Sequence, residues 1–123
     1  MTLMPVKILI VCGTTRPEII KLAPVYHFLW TQTWCEVRWL HTGQHQEMVD
    51  QILSCFDIAP DIVLTRAGSS LSEFSIGCRQ QLDVVMDQEK WGVVIAQGDT
   101  ESTFLGGLSA FYQRIPIAYV EAG

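Results

Sequence analysis

The feature that most limits the folds open to this chain is a regular alternation of short apolar runs with stretches of helical periodicity. The runs fall at residues 7–12, 36–41, 61–64, 93–96 and 117–120. Runs apolar on both faces and separated by helices read as strands of a parallel sheet covered on both sides. The spacing predicts a first helix over 17–31, with Ile20, Ala23, Val25 and Phe28 among its apolar positions and Pro24 as a kink. A second helix places Met48, Val49, Ile52, Leu53 and Phe56 on one face. Ser70 and Glu73 form a capping box for a long third helix that buries Leu71, Phe74, Cys78, Leu82, Val85 and Met86. Phe104, Leu105, Leu108, Phe111 and Tyr112 supply the apolar stripe of the fourth.

Right-handed crossovers wound in both directions give such strands the order 3-2-1-4-5, a doubly wound Rossmann-like α/β sheet whose winding reverses between strands one and four. Ligands of open α/β sheets bind at that crevice, beyond the carboxyl ends of the strands. The loops flanking it are Gly13 to Arg16 after strand one and Gln97-Gly98-Asp99-Thr100 after strand four, with Glu121 just past strand five.

The first of these turns, Cys12-Gly13-Thr14-Thr15-Arg16-Pro17-Glu18, swings a strand sharply into a helix. Glycine permits the tight turn, and N–H groups at the new helix start can face an anion. Pro17 suits the first helical position, and Glu18 stands three residues after Thr15 as in a capping box, so the cap falls at Arg16 or Thr15. Arg16 either meets phosphate with its planar guanidinium or is a solvated arginine beside an ordinary capped turn. Asp99 has two readings as well: it or Thr100 caps the fourth helix, or Asp99 is an acid/base or orienting carboxylate. Glu121, at the same edge, is either solvated or paired with Asp99 for proton transfer. His45 either lines a surface loop or meets a ligand.

A length of 123 residues is one domain's worth of sequence, and the net charge of -5 with eight scattered Lys and Arg argues against a nucleic-acid surface. Any anionic ligand is left to a few local donors. The cysteines Cys12, Cys35, Cys55 and Cys78 are widely spaced and without metal-ligand partners, as expected of thiols in a reducing compartment. No run is long enough for a signal-peptide core or a membrane span, and a cytoplasmic location is expected. The first turn lacks G-x-G-x-x-G and strand two ends in His41-Thr42, which disfavours NAD. A phosphate-binding G-x-x-x-x-G-K-[ST] motif is absent too.

Gly13 to Lys21 with Leu22-Ala23-Pro24, Thr42-Gly43-Gln44-His45 with Glu47-Met48, Gly98-Asp99-Thr100, Ala110 to Pro116, and Val120-Glu121-Ala122-Gly123 together resemble the non-hydrolysing bacterial UDP-N-acetylglucosamine 2-epimerases. The likeness runs over essentially the whole chain, in order and at the right spacings. It implies two Rossmann-like domains of a glycosyltransferase kind, with the nucleotide sugar between them, usually in a homodimer. Such enzymes interconvert UDP-N-acetylglucosamine and UDP-N-acetylmannosamine by eliminating and re-adding UDP through a glycal, with neither NAD nor a metal, for cell-surface polysaccharide synthesis. The resemblance makes Arg16 a phosphate contact and Lys21 an important cation near it. Asp99 and Glu121 join the acid/base and orienting set, and Gln44, His45 and Glu47 match a loop that in some members binds a second, activating UDP-N-acetylglucosamine.

Three departures bear on the site. The usual turn is Gly-Thr-Arg-Pro-Glu, and this chain carries one further threonine, Thr14 or Thr15. Glu101 replaces a threonine, adding charge that would raise the proton affinity of a buried pair with Asp99. Tyr119 replaces a common histidine. The chain also stops well short of a family member, at Gly123. The resemblance therefore implies an incomplete amino-terminal Rossmann-like domain without its nucleotide-holding partner, self-associating through a bare strand at 117–120 and inactive alone. Two further expectations stand beside it: a non-catalytic module that docks on an intact epimerase, and a hydrolysing relative.

Overall fold

Strand β1 (Val6–Cys12) is the axis of the sheet. It pairs in parallel with β2 (Cys35–His41), from Val6 opposite Cys35 to Cys12 opposite His41. Its other edge pairs in parallel with β4 (Trp91–Gln97), Ile8 opposite Val93 and Ile10 opposite Ile95. The short β3 (Ile62–Val63) flanks β2, and β5 (Ile117–Val120) flanks β4, so the order is β3-β2-β1-β4-β5. This computed structural model describes residues 4–13, 16–44, 49–66 and 68–120. The predicted order 3-2-1-4-5 is the observed one. Strands two and four each begin earlier than their apolar runs, at Cys35 and Trp91.

Alternate residues of β1 feed two cores, as a sheet covered on both faces requires. Ile8, Ile10 and Cys12 meet Ile19, Leu22 and Tyr26 of α1 (Arg16–Trp30), together with Leu53 of α2 (Val49–Cys55). Leu9 and Val11 face Phe74, Leu82 and Met86 of α3 (Leu71–Gln88) and Leu105 of α4 (Glu101–Tyr112). The capping box of α3 forms as expected: Ser70 Oγ accepts the Glu73 N–H at 3.0 Å, and Glu73 Oε1 accepts the Ser70 N–H at 3.2 Å. The Ser70 N–H, with the Ser70 hydroxyl and the Ser69 N–H, holds the Glu73 carboxyl below its ordinary pKa.

Several helix faces differ from the periodicity reading. In α1 the buried stripe is Glu18, Ile19, Leu22, Ala23, Tyr26 and Leu29, while Ile20 and Phe28 point to solvent. The helix runs on through Pro24, which sits on its exposed side. Leu71 of α3 is 55% exposed, since it opens the helix before the packed stripe begins at Phe74. The largest correction is α4, where Phe104, Phe111 and Tyr112 are exposed and the buried face is Ser102, Leu105, Gly106, Ser109 and Ala110. Small residues win that face because the helix lies close on β1: a Cβ on Gly106 would stand 3.1 Å from Val11 Cγ1. In α2, Leu53 is buried and Ile52 and Phe56 pack against the core as expected, whereas Met48 and the side chain of Val49 lie outside the described residues.

Cys12, Cys35 and Cys78 are buried, and Cys55 is exposed. Burial, with Glu101 nearby as a second cause, pushes the Cys78 thiol up to about 12, so it stays protonated. Among the described residues no helix is long and apolar enough to cross a membrane.

His41 ends β2 at 5% exposure, and its Nδ1 has no hydrogen-bond partner among the described residues. Burial pushes its pKa below the ordinary 6.5, against a smaller pull from Asp50. The unfolded chain therefore takes up this proton at higher pH than the folded one. Its contribution to stability is intact above about pH 6.5 and is lost progressively as the pH falls below that value. Urea midpoints measured from about pH 7 down to about pH 5.5 are expected to decline, and His41→Val to flatten that part of the decline. Removing the α3 cap with Ser70→Ala is expected to cost about 1 kcal/mol by the same measurement at neutral pH.

Candidate functional site

The candidate site lies outside the carboxyl ends of β1 and β4, where the winding of the sheet reverses. Arg16 opens α1 directly after the β1 turn, and Asp99 lies in the turn between β4 and α4. Helix α1 starts at Arg16, and Thr14 and Thr15 lie outside the described residues. Arg16 and Asp99 are both exposed. Their shared rim is fixed by a bond between near neighbours: the Thr100 hydroxyl donates to Glu18 Oε1 at 2.8 Å. Lys21 is also exposed, five residues along α1 and so about 7 Å further down the helix axis than Arg16. Glu121, His45 and Glu47 lie outside the described residues. The residue before Glu121, Val120, pairs with Gln97 and thus ends β5 at this same edge.

Of the two caps the sequence left open for α4, Thr100 is the one used. Its Oγ1 accepts the Thr103 N–H, leaving Asp99 uncommitted to that task. The next free amide, that of Ser102, donates to Gln44 Oε1 at 3.1 Å, and the Ser102 hydroxyl bonds to the same oxygen. An amide N–H must meet an acceptor, so this contact fixes which way the Gln44 side chain lies and turns its NH2 group away from Ser102. Thr42 adds a hydroxyl 2.8 Å from Ser102 Oγ. The start of α4 is thus satisfied largely by side chains of the protein itself, and an anion at this rim would depend on Arg16, Lys21 and the start of α1.

The condition on which a raised proton affinity of Glu101 and Asp99 depends, burial of both groups, is not met. The Glu101 carboxylate accepts the Ser75 hydroxyl of α3, while Asp99 stands in solvent, so the two are not a buried pair. Tyr119, the other departure, donates its hydroxyl to the Gly98 carbonyl at 2.8 Å and ties β5 to the turn that carries Asp99. Sequence reasoning did not find Arg66, which donates to the Gln44 carbonyl and lies 5.0 Å over the Phe74 ring. Nor did it find the link from Glu18 to α4. Its one visible signal was a carboxylate in the first turn of a helix that already had a basic residue ahead of it. Among the described residues no three His, Cys, Asp or Glu gather to hold a metal. A groove of about 520 Å³ lined by Met86, Lys90, Trp91 and Arg114 lies at the opposite, amino-terminal end of β4 and belongs to none of this.

An open parallel sheet of order β3-β2-β1-β4-β5 with helices on both faces is a doubly wound, Rossmann-like α/β domain. Comparison with known proteins narrows the class. The family model for UDP-N-acetylglucosamine 2-epimerase matches residues 29–123. The UDP-N-acetylglucosamine 2-epimerase of Escherichia coli K12 is 43% identical over 119 residues, which are 95% of this chain and 31% of that protein. The Neisseria meningitidis UDP-GlcNAc 2-epimerase bound to UDP-GlcNAc superposes with a TM-score of 0.85 at 40% identity, over 95% of this chain and 32% of that one. The S. aureus MnaA structure with UDP gives 0.85 at 44% identity, over 95% and 31%. The chain belongs to the UDP-N-acetylglucosamine 2-epimerase family, and it spans about a third of the length of the relatives it matches.

Gly13 is where the rim is tightest. A Cβ there would fall 2.6 Å from Ser102 Cβ and 2.7 Å from Ser102 Oγ. Gly13→Ala is expected to destabilise the fold by about 1–3 kcal/mol in urea denaturation. Pairing it with Ser102→Gly should recover part of that loss.

Proposed function

We propose that this chain supplies the first Rossmann-like unit of a UDP-N-acetylglucosamine 2-epimerase, whose second, nucleotide-holding unit closes over the rim of β1 and β4. The observation that carries this reading is the placement of Arg16 and Asp99 on one rim, linked through Glu18 and Thr100. The relatives bound to UDP-GlcNAc and UDP support the ligand class. In the reaction, the C2 proton leaves to a base while the C1–O bond breaks toward the diphosphate, giving a glycal and UDP. Re-addition of UDP with a proton delivered to the opposite face of C2 gives UDP-N-acetylmannosamine, so atoms and charge balance without a redox partner. Asp99 and Glu121 serve as the acid/base and orienting carboxylates. Arg16 and Lys21 meet the negative charge that grows on the departing diphosphate.

Gln44, with His45 and Glu47, is assigned to a second nucleotide-sugar site. Its side-chain oxygen is taken by Ser102, and its NH2 group is the part that can donate to a ligand. The complete enzyme acts as a cytoplasmic homodimer and feeds cell-surface polysaccharide synthesis.

Arg16, Lys21 and Asp99 are all exposed, and proton transfer at carbon calls for carboxylates shielded from water. The 123-residue chain by itself is therefore inactive. Purified chain is expected to leave UDP-N-acetylglucosamine unchanged. Joined to the remaining two-thirds of the E. coli relative, it should produce UDP-N-acetylmannosamine, and Asp99→Asn should abolish that activity. Turnover by the chain alone, or an inactive joined protein that is folded, would count against the proposal.

A further inference from the structure

The geometry points to Glu18 as a positioning residue that locks the start of α1 to the start of α4 and thereby sets the spacing between Arg16 and Asp99. This inference rests on the epimerase reading for its chemical consequence, though not for its geometry. Glu18 is 2% exposed, and a carboxylate so far from water persists only where donors meet it. Two hydroxyls reach it from the start of α4: Thr100 Oγ1 at 2.8 Å and Thr103 Oγ1 at 3.1 Å. The Thr103 hydroxyl also lies 2.8 Å from the Gln97 carbonyl, so its single proton has two acceptors to choose from. Thr100 accepts the Thr103 N–H on its oxygen, so its proton is the one committed to Glu18.

The backbone is shaped to admit this contact. Gly98 holds a φ of 95°, and a Cβ there would stand 3.1 Å from Glu18 Cγ and 3.3 Å from Oε1. A side chain at position 98 would thus press on the carboxylate as well as strain the turn. Tyr119 pins the same turn from the other side through the Gly98 carbonyl. Arg16 and Asp99 have no such anchors of their own among the described residues. Arg16 sits two residues before Glu18, and Asp99 immediately precedes Thr100, so whatever holds Glu18 to Thr100 holds the cation to the carboxylate.

A merely structural Glu18 would affect stability and nothing else, so the test reads spacing. Nitroxide labels are placed at 16 and 99 with R16C and D99C in a C55S background, because Cys55 is the exposed cysteine among buried Cys12, Cys35 and Cys78. Dipolar broadening of the label spectrum is recorded in the 123-residue chain. E18Q keeps an acceptor oxygen and is expected to preserve the narrow distance distribution, whereas E18A and E18D are expected to broaden it. If E18A does not fold, E18D and T100V decide. Folded E18D and T100V proteins with the parent distribution would overturn the inference. In the protein joined to the E. coli segment, without labels, E18D is expected to lower kcat by about a hundredfold and E18Q to restore it. A parent that is inactive there would sink the epimerase reading alone and leave the label experiment standing as the test of the clamp.

Discussion

The architecture turns on one close approach: α4 must begin against the end of β1, with glycine facing a side chain at each point of contact. Gly13 faces Ser102 at a distance that excludes even a methyl group, and one turn later Gly106 lies against Val11. Because a helix can come this near only on small residues, the inward face of α4 is made of Ser102, Gly106, Ser109 and Ala110, with Leu105 as its one large member. The bulky residues are displaced outward. The same approach brings the first turn of α4 within hydrogen-bond reach of loops from both sides of β1, which is how Gln44 and Thr42 come to Ser102 and Glu18 comes to Thr100.

That convergence settles an electrostatic question. Two helix starts flank the switch point, and each would ordinarily attract an anion. The start of α4 is occupied by Thr100 and Gln44 oxygens, and a buried carboxylate from α1 lies against its first turn. Negative and polar groups of the protein therefore already answer the positive end of that helix. On the reading proposed above, a departing diphosphate is better served by the α1 side, where Arg16 and Lys21 are exposed. The α4 side offers Asp99, a carboxylate relieved of capping duty by the threonine that follows it.

How much of this was legible in the sequence depends on the range of the interaction that decides it. Strand order followed from apolar runs such as 7–12 and 36–41 together with the general handedness of crossovers, and both the order and the capping box at Ser70 and Glu73 are observed. Helix faces were less legible. Both α1 and α4 carry large apolar residues on more than one side, and periodicity cannot say which of Ile19 or Ile20, or of Leu105 or Phe104, turns inward when neither choice breaks the pattern. The site was read at the level of its loops, since the switch point follows from winding. Its internal bonding was invisible, because Glu18 and Thr100 are 82 residues apart and each has an adequate local explanation as a cap. A residue with a ready local role conceals a distant one.

The exposed rim then bears on where the chemistry can occur. Water around Arg16 and Asp99 weakens any field they exert on a bound group, since the interaction of two charges falls with the dielectric constant of what surrounds them. The scaffold nevertheless fixes these residues from beneath, through side chains that are themselves buried: Glu18, Thr42 and Ser102. On the reading proposed above, this domain supplies position and a second unit excludes water. Such a division suits the proposed two-part enzyme, in which one half stays rigid while the other opens to exchange UDP sugars. It also accounts for the polar groups under the rim bonding to one another across three elements. Those bonds are complete without a ligand, and on the proposed reading the groups left facing solvent are those whose partners come and go.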